Sequence, residues 1–311
     1  MHGGGCSLCG AEGTNKSTCP LNPGAKKPKA DKHAAIQVKP VKPVKPVVKP
    51  VIRPIKPVKP VKPPVKPVKP EIKILTYNIW FDEHRLLERT IRISEIIKEE
   101  QPDVVCLQEV RSDTLAVLTH KLGNYQFTKK TILQGYDTVI LVKKEHEILG
   151  GKRHDFEHSI MGRNLELVIL ALSNGAVWVV GTFHLESVFG AAVHTETKRL
   201  QLKFSLEKAR ELADSIGAKH VTIMGDTNLG FREFYRYNSK WQDSWAVAGK
   251  PKEHTYTNDG KRNSNLKHNY RNRMDRIIID SDTDVHPNSF KLVGTEAPNP
   301  SDHFGVVVEL K

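Results

Sequence analysis

His220-Val221-Thr222-Ile223-Met224-Gly225-Asp226-Thr227-Asn228 is an apolar, β-branched run that stops on a glycine and then presents a carboxylate and an amide. A run of this kind reads as a buried strand, so its polar groups sit at the strand end. The form recurs along the chain. Ile72 to Thr76 runs into Tyr77-Asn78, Val104 to Leu107 runs into Gln108-Glu109-Val110, and Ser301-Asp302-His303-Phe304 precedes Val306 to Leu310. Strand ends that bring carboxylates, amides and an imidazole to one rim predict a metal-assisted site for cleaving a phosphate ester.

Outward from these runs, composition divides the chain. Residues 1 to 70 hold 14 of the 19 prolines and 15 Lys plus Arg against 2 acids, a balance of 15 − 2 = +13. Residues 71 to 311 hold 48 − 15 = 33 basic and 35 − 2 = 33 acidic residues, so the whole net charge lies in the tail. The basic character is therefore a property of an arm, and any basic groove on the domain must come from local arrangement. Of the cysteines only Cys106 falls after residue 70, inside an apolar run. That excludes a disulfide framework for the domain and favours a reducing, intracellular setting. No apolar run is long enough to cross a membrane as a helix, and no secretory signal core opens the chain.

The division expected is 1–35, a Cys-rich module; 36–70, a Lys/Pro linker; and 71–311, a single large domain. In the module, Cys6, Cys9 and Cys19 lack a fourth partner, which His33, or alternatively His2, supplies if the site is a zinc knuckle. Free thiols and redox chemistry are the other readings. The module also resembles short Cys-rich segments appended to otherwise unrelated proteins of large DNA viruses, where it would serve a protein partner. From Val38 to Pro70 the chain repeats Val-Lys-Pro, which rules out helix and central strand and leaves polyproline II. At about 3.1 Å per residue such an arm reaches roughly 100 Å. It is either a solvated spacer or a sequence-blind tether for DNA or RNA phosphates. Lys26-Lys27-Pro28-Lys29 is compatible with nuclear import or with a plain basic run, so a nuclear or viral-replication-site location is an expectation only.

Within 71–311 the spacing predicts helices over Leu86 to Glu99, Thr114 to Leu122 and Glu196 to Ile216. Strands are expected over Ile72 to Leu75, Val104 to Leu107, Tyr125 to Phe127, Thr138 to Val142, Leu165 to Leu172, Ala176 to Phe183, His220 to Met224, Arg276 to Ile279 and Phe304 to Leu310. Strands and helices are mixed rather than alternating. That argues for an α/β fold in which a two-sheet β-sandwich is flanked by helices.

Asn78, Gln108-Glu109, His184, Gly225-Asp226 with Asn228, and Ser301-Asp302-His303 resemble the motif set of the endonuclease/exonuclease/phosphatase superfamily. Longer strings, among them Met161-Gly162-Arg163-Asn164-Leu165, Thr182-Phe183-His184-Leu185-Glu186-Ser187, Asn263-Ser264-Asn265-Leu266 and Asp275-Arg276-Ile277, resemble its 5′-tyrosyl-DNA phosphodiesterase branch over essentially all of 71–311. The resemblance implies a four-layer αββα fold and a Mg²⁺-dependent hydrolase, with Mn²⁺ an acceptable ion. It implies Glu109 as the principal metal ligand, with Asn78 orienting the phosphate or reaching the ion through water. Asp226 is implied to position and deprotonate the attacking water, with Asn228 beside it, and His303 to donate to the phosphate while Asp302 orients it. His184 and Arg163 are further phosphate contacts and Arg232 and Leu266 substrate contacts, while Tyr136 and Arg276 either contact substrate or pack, Arg276 equally by pairing with Asp275 or another acid.

The chain departs from the branch at Gly230, where a basic residue is usual, at Asn258 in place of an aromatic, and at Lys267-His268, where the branch tends to be apolar. These positions face the substrate strand rather than the metal. Hydrolysis of another phosphodiester therefore stays open: an abasic-site or nonspecific endonuclease, a deadenylase, or a lipid or nucleotide phosphoesterase. So does a nucleic-acid-binding adaptor without turnover.

Overall fold

The computed structural model describes residues 71–187, 192–234 and 240–311, without the side chains of residues 192–194, 231 and 232. The expectations for the tail, including Cys6, Cys9, Cys19 and His33, lie outside the described residues.

In chain order the elements are β1 (Ile72–Asn78), α1 (Leu86–Glu100), β2 (Val104–Arg111), α2 (Ser112–Lys121), β3 (Tyr125–Phe127), β4 (Tyr136–Lys143), β5 (Glu147–Asp155), β6 (Asn164–Ala171), β7 (Val177–His184), α3 (Ala192–Ile216), β8 (His220–Asp226), α4 (Phe231–Phe234), β9 (Trp241–Asp243), α5 (Ser244–Val247), β10 (Asn258–Asp259), β11 (Arg271–Asn272), β12 (Asp275–Asp280), β13 (Pro287–Val293) and β14 (Gly305–Leu310). One six-stranded sheet runs β13-β14-β1-β2-β4-β3 and the other β5-β6-β7-β8-β12-β9.

Three apolar clusters show how the layers stack. Ile74, Cys106 and Val306 of the first sheet pack with Val180, Met224 and Ile277 of the second in a shared core. Leu75, Tyr77 and Leu107 turn to the outer face and meet Ile93 and Ile97 of α1 and Leu118 of α2. On the far side Leu167, Val179 and Ile223 meet Leu202, Leu206 and Ala209 of α3. The result is the four-layer αββα sandwich. Among the described residues no helix is long and apolar enough to cross a membrane.

Because side chains alternate across a strand, each inward row continues at a spacing of two. In β1 that row is Ile72, Ile74, Thr76 and Asn78, and in β8 it ends Met224, Asp226. The same row that is greasy at the middle of the sandwich becomes polar at one end. Parallel pairing levels those ends, setting Asn78 opposite Gln108 and His184 opposite Asp226, while antiparallel β12 brings Asp275 to Asp226. Gly225 makes this convergence possible. It has φ 149° and lies opposite Phe183, and an added Cβ would fall on the carbonyl oxygen of Phe183. Any larger residue would push β8 away from β7.

The predicted elements are present with ends shifted by a few residues. β5 and β13 are not predicted, and each lies at the edge of its sheet. The Gly150-Gly151 pair and the charges of β5 hide its alternation, and edge strands tolerate such residues because one side is solvated. Replacing Gly225 with Ala is expected to lower stability by about 3 kcal/mol. This would read as a fall in the urea midpoint; an unchanged midpoint would contradict the close-approach account.

Candidate active site

β2 carries a bulge between Leu107 and Val110, and Glu109 sits in it with φ 62°. A left-handed conformation at a non-glycine residue is strained and persists only where neighbours hold it. Here the Phe81 amide donates to Glu109 Oε2 at 2.9 Å, and the Asn78 side-chain amide donates to Oε1 at 3.2 Å. The bulge swings Glu109 out of the strand's alternation and onto the polar rim.

Asn78 is the junction of the site. Its Nδ2 also donates to Asp226 Oδ2 at 3.1 Å, and its Oδ1 accepts the Trp80 amide at 3.0 Å, which fixes the amide's orientation. Asp226 takes a further hydrogen bond at Oδ1 from the Asn228 amide, 2.8 Å away. Asn228 turns its own Nδ2 to the Leu185 carbonyl at 3.2 Å, so it ties the loop after β8 to the end of β7. Both of these hydrogen bonds reach the Asp226 oxygens from N–H donors.

His184 is buried between Arg163 and the acids. Arg163 Nη1 lies 2.6 Å from His184 Nδ1, and the guanidinium can only donate, so Nδ1 is an acceptor and the proton is on Nε2. Nε2 faces Asp226 Oδ2 at 3.4 Å and Glu109 Oε1 at 3.9 Å. Burial first, and then the Arg163 charge, push the imidazole down to about 3, which keeps it neutral. Arg163 also donates to Tyr136 Oη and Ser187 Oγ, both at 3.3 Å.

His303 is the opposite case. Burial alone would lower its pKa, but the carboxylates of Asp275, Asp302 and Asp226 overcome burial and raise it well above the ordinary value. Its Nδ1 meets Asp275 Oδ2 at 2.7 Å, and its Nε2 looks toward Asp226 Oδ2 at 4.0 Å. The expectation that Asp302 orients His303 is corrected here, since the partner is Asp275. Successive residues of a loop point apart, whereas Asp275 reaches the ring from another strand. Asp302 stays beside the site, its carboxyl pushed up by burial and, against the opposing charge of His303, by Asp226 and Asp275.

The remaining expected contacts divide. Tyr136 reaches the site through Arg163. Leu266 is half-buried in a loop tied to the Ser301 carbonyl by Asn263 and Asn265, so it neighbours the His303 segment. Arg276 is corrected: it is buried, with Nη1 2.7 Å from Asp243 Oδ2 and its guanidinium over Phe234, because alternation turns it away from the face that Asp275 occupies. The side chain of Arg232 lies outside the described residues.

Arg89 had no signal beyond a helical position. Its guanidinium donates to the carbonyls of Ile79, Trp80, Asp82 and His84 and, at 3.2 Å, of Pro300. All five of its N–H groups are thereby used, and the loop after β1 is clamped to the loop that carries Asp302 and His303. Ser301 adds a second tie by donating to the Asn78 carbonyl at 2.6 Å.

The site thus gathers four carboxylates around one charged imidazole. Asp275 Oδ1 is buried without a hydrogen-bond partner among the described residues. Burial first, and then the Asp302 charge, push Glu109 up to about 7. Hard oxygen donors with excess negative charge fit a divalent cation such as Mg²⁺ or Mn²⁺. Asp226, Asp275 and His303 also lie within 4.8 Å of one another. A protonated imidazole offers no lone pair, and Asn78 turns its Nδ2 rather than its oxygen toward the acids, so the Glu109 carboxylate is the oxygen donor to weigh against that cluster.

Residues 75–303 match the profile of the Endonuclease/Exonuclease/phosphatase family. Tyrosyl-DNA phosphodiesterase 2 of Bos taurus is 33% identical over 250 residues, which cover 76% of this chain and 66% of the relative. The Homo sapiens protein of the same name is 33% identical over 251 residues, covering 76% and 67%. The chain spans 66% of the first relative's length and 67% of the second's. The crystal structure of D. rerio TDP2 complexed with single strand DNA product superposes with a TM-score of 0.70 at 28% identity, covering 78% of this chain and 100% of that one.

The raised Glu109 carboxyl gives a pH test. Held above its ordinary 4.5 at about 7, it stabilises the metal-free fold at low pH and loses that contribution as pH rises through about 7. A cation must displace the same proton. Thermal stabilisation by a fixed Mg²⁺ concentration is therefore expected to grow from about pH 6 to about pH 8, with affinity rising up to tenfold per unit below 7. Glu109→Gln should flatten the dependence; equal stabilisation of the unsubstituted protein at both pH values would contradict it.

Proposed function

The chain belongs to the endonuclease/exonuclease/phosphatase family, and from that premise we propose that it is a divalent-metal-dependent phosphodiesterase that releases tyrosine from a 5′ DNA phosphate. The observation that carries the reading is the junction at Asn78, whose amide binds the carboxylates of Glu109 and Asp226 at once. That junction puts a metal seat and a base for water within one hydrogen bond of each other.

Glu109 would hold Mg²⁺, or Mn²⁺ as the second fit, with Asn78 positioning its carboxylate and reaching the ion only through water. When bound, the cation neutralises the nonbridging oxygens and the developing charge on the leaving oxygen. Asp226, held at both oxygens, takes a proton from water as the new P–O bond forms in line. His303, charged and aimed by Asp275, donates through Nε2 to a phosphate oxygen. Neutral His184 keeps its Nε2 proton on the acids and Arg163 at its back, which adds positive charge near the phosphate without a titrating group. The P–O bond to tyrosine then breaks, and the phenol oxygen departs with a pKa near ~10, a far better leaving group than a sugar alkoxide.

The strand side supports nucleic acid as substrate. Lys250, Lys252, Lys261, Arg262, Lys267 and Arg271 are exposed over residues 250–273, against exposed Glu253. The same stretch abuts the site, since Thr257 accepts the Phe304 amide at its carbonyl and the Asp275 amide at its hydroxyl. Asn258 is buried and paired with Asn272, so no aromatic platform stands at that position, which forgoes stacking worth ~1–3 kcal/mol per base. Charge on Lys267 offsets part of that loss. For the tail, zinc at Cys6, Cys9, Cys19 and His33 and a phosphate-tethering arm rest on spacing and charge. One zinc per chain, and weaker DNA binding at low salt once residues 1 to 70 are removed, are the corresponding expectations; no zinc and unchanged binding would overturn them.

The test is a gel assay of the full chain with Mg²⁺ on matched oligonucleotides bearing a 5′-phosphotyrosine, a 3′-phosphotyrosine or an internal abasic site. Release from the 5′ adduct alone is expected, with Glu109→Ala and Asp226→Ala each slower by on the order of a hundredfold or more. Cleavage only at the abasic site would move the substrate elsewhere in the family. Substantial activity in either variant would remove the residue assignment.

A further inference from the structure

Beside the site lies an open groove of about 550 Å³ lined by Phe81, Arg111, Ser112, Asp113, Gly135 and Tyr136, none of them from the basic stretch. Its floor is an aromatic pair. The Phe81 and Tyr136 rings stack with centroids 4.7 Å apart and planes 16° from parallel, and Phe81 stays 43% exposed. The groove is continuous with the chemistry at two points. The Phe81 amide holds Glu109 Oε2 at 2.9 Å, and the Tyr136 ring lies 6.4 Å from the His184 ring, with the Arg163 guanidinium between their polar ends.

Its electrostatics exclude a phosphate backbone as occupant. Arg111, the cation in the lining, spends its charge within the protein: Nε and Nη2 bind Asp113 at 3.2 and 3.0 Å, Nη1 binds the Phe81 carbonyl at 3.1 Å, and Glu83 stands 3.6 Å away. The wall is neutral overall and polar at its lip, above an apolar floor. A phosphodiester carries two substituents, of which one leaves on hydrolysis, and the exposed cations of residues 250–273 suit the DNA strand. We propose that the groove receives the other substituent, the peptide chain flanking the tyrosine that leaves. The stacked rings take an apolar side chain of that peptide, and the ion-paired lip offers the Ser112 hydroxyl and the Asp113 carboxylate to its backbone amides. Phe81 and Arg111 are then specificity residues for the protein half of the adduct. This assignment rests on the tyrosyl-release reading above.

The experiment separates the two. Binding of the full chain to three oligonucleotides of one sequence is measured by fluorescence anisotropy in EDTA: one with a 5′-phosphate, one with a 5′-phosphotyrosine, and one with the phosphotyrosine inside a short peptide. The peptide-bearing oligonucleotide is expected to bind roughly fivefold tighter than the 5′-phosphate. Phe81→Ala should remove that increment and leave the 5′-phosphate Kd as it was, and Phe81→Tyr should retain it. An unsubstituted chain that gains nothing from the peptide, or a Phe81→Ala variant that keeps the gain, would overturn the assignment. Weaker binding of the 5′-phosphate oligonucleotide by Phe81→Ala would also overturn it, by making the groove a nucleotide site. Turnover of the phosphotyrosine oligonucleotide with Mg²⁺, scored separately, reports on tyrosyl release itself. Turnover without a peptide increment defeats only the groove; absence of turnover defeats both.

Discussion

Glu109, Asp226, Asp275 and Asp302 share one sheltered rim, and like charges in a low-dielectric setting cannot all remain ionised without countercharge. Nearly every other feature of the site answers that constraint. Asn78 inserts an amide between two of the acids, and the backbone amides of Phe81 and Asn228 take a third and fourth lone pair. His303 answers by holding a proton against its own burial, with Asp275 as its closest anion. Glu109 answers differently, by resisting ionisation near neutrality. What remains is an excess of negative oxygen that a hard divalent cation would relieve. The metal requirement is thus a consequence of the packing.

Two sheets lying face to face provide the place for such a cluster, because their inward rows must emerge somewhere. At this end β1, β2, β7, β8 and β12 all emerge together, and loops rather than strands complete the rim. Loops need restraint to hold catalytic geometry, and Arg89 supplies it from inside α1 by binding carbonyls on both sides of the site. Ser301 and Thr257 repeat the device with hydroxyls that reach across elements. The polar interior of the rim therefore has backbone partners for most of its atoms, which is what separates a preorganised site from an unstable one.

Much of this was legible in the chain. Asn78, Glu109 and Asp226 follow apolar runs that end abruptly, and the two-sheet architecture follows from mixed rather than alternating elements. His303 was legible as a residue but not in its partner, because adjacency in sequence favoured Asp302, while Asp275 arrives by β12 pairing with β8. The clamp of Arg89 was hidden for a related reason: on a helix it reads as one more solvated cation, and its carbonyl partners belong to loops that no periodicity describes. Arg276 was open between two readings. A guanidinium near a strand end suggests a substrate contact as readily as a buried ion pair, and alternation decides for the pair, with Asp243 as the acid. Pairing across sheets and loops decides these cases, and local sequence does not encode it.

The central claim is that the buried acids form one cation seat at Glu109 rather than a set of independent ion pairs. Anomalous diffraction from crystals of the full chain grown with Mn²⁺ tests it most directly. The account predicts a peak in contact with the Glu109 carboxylate, with His303 still bonded to Asp275. A peak seated instead among Asp226, Asp275 and the His303 ring, or no peak at the rim at a concentration that supports turnover, would contradict it.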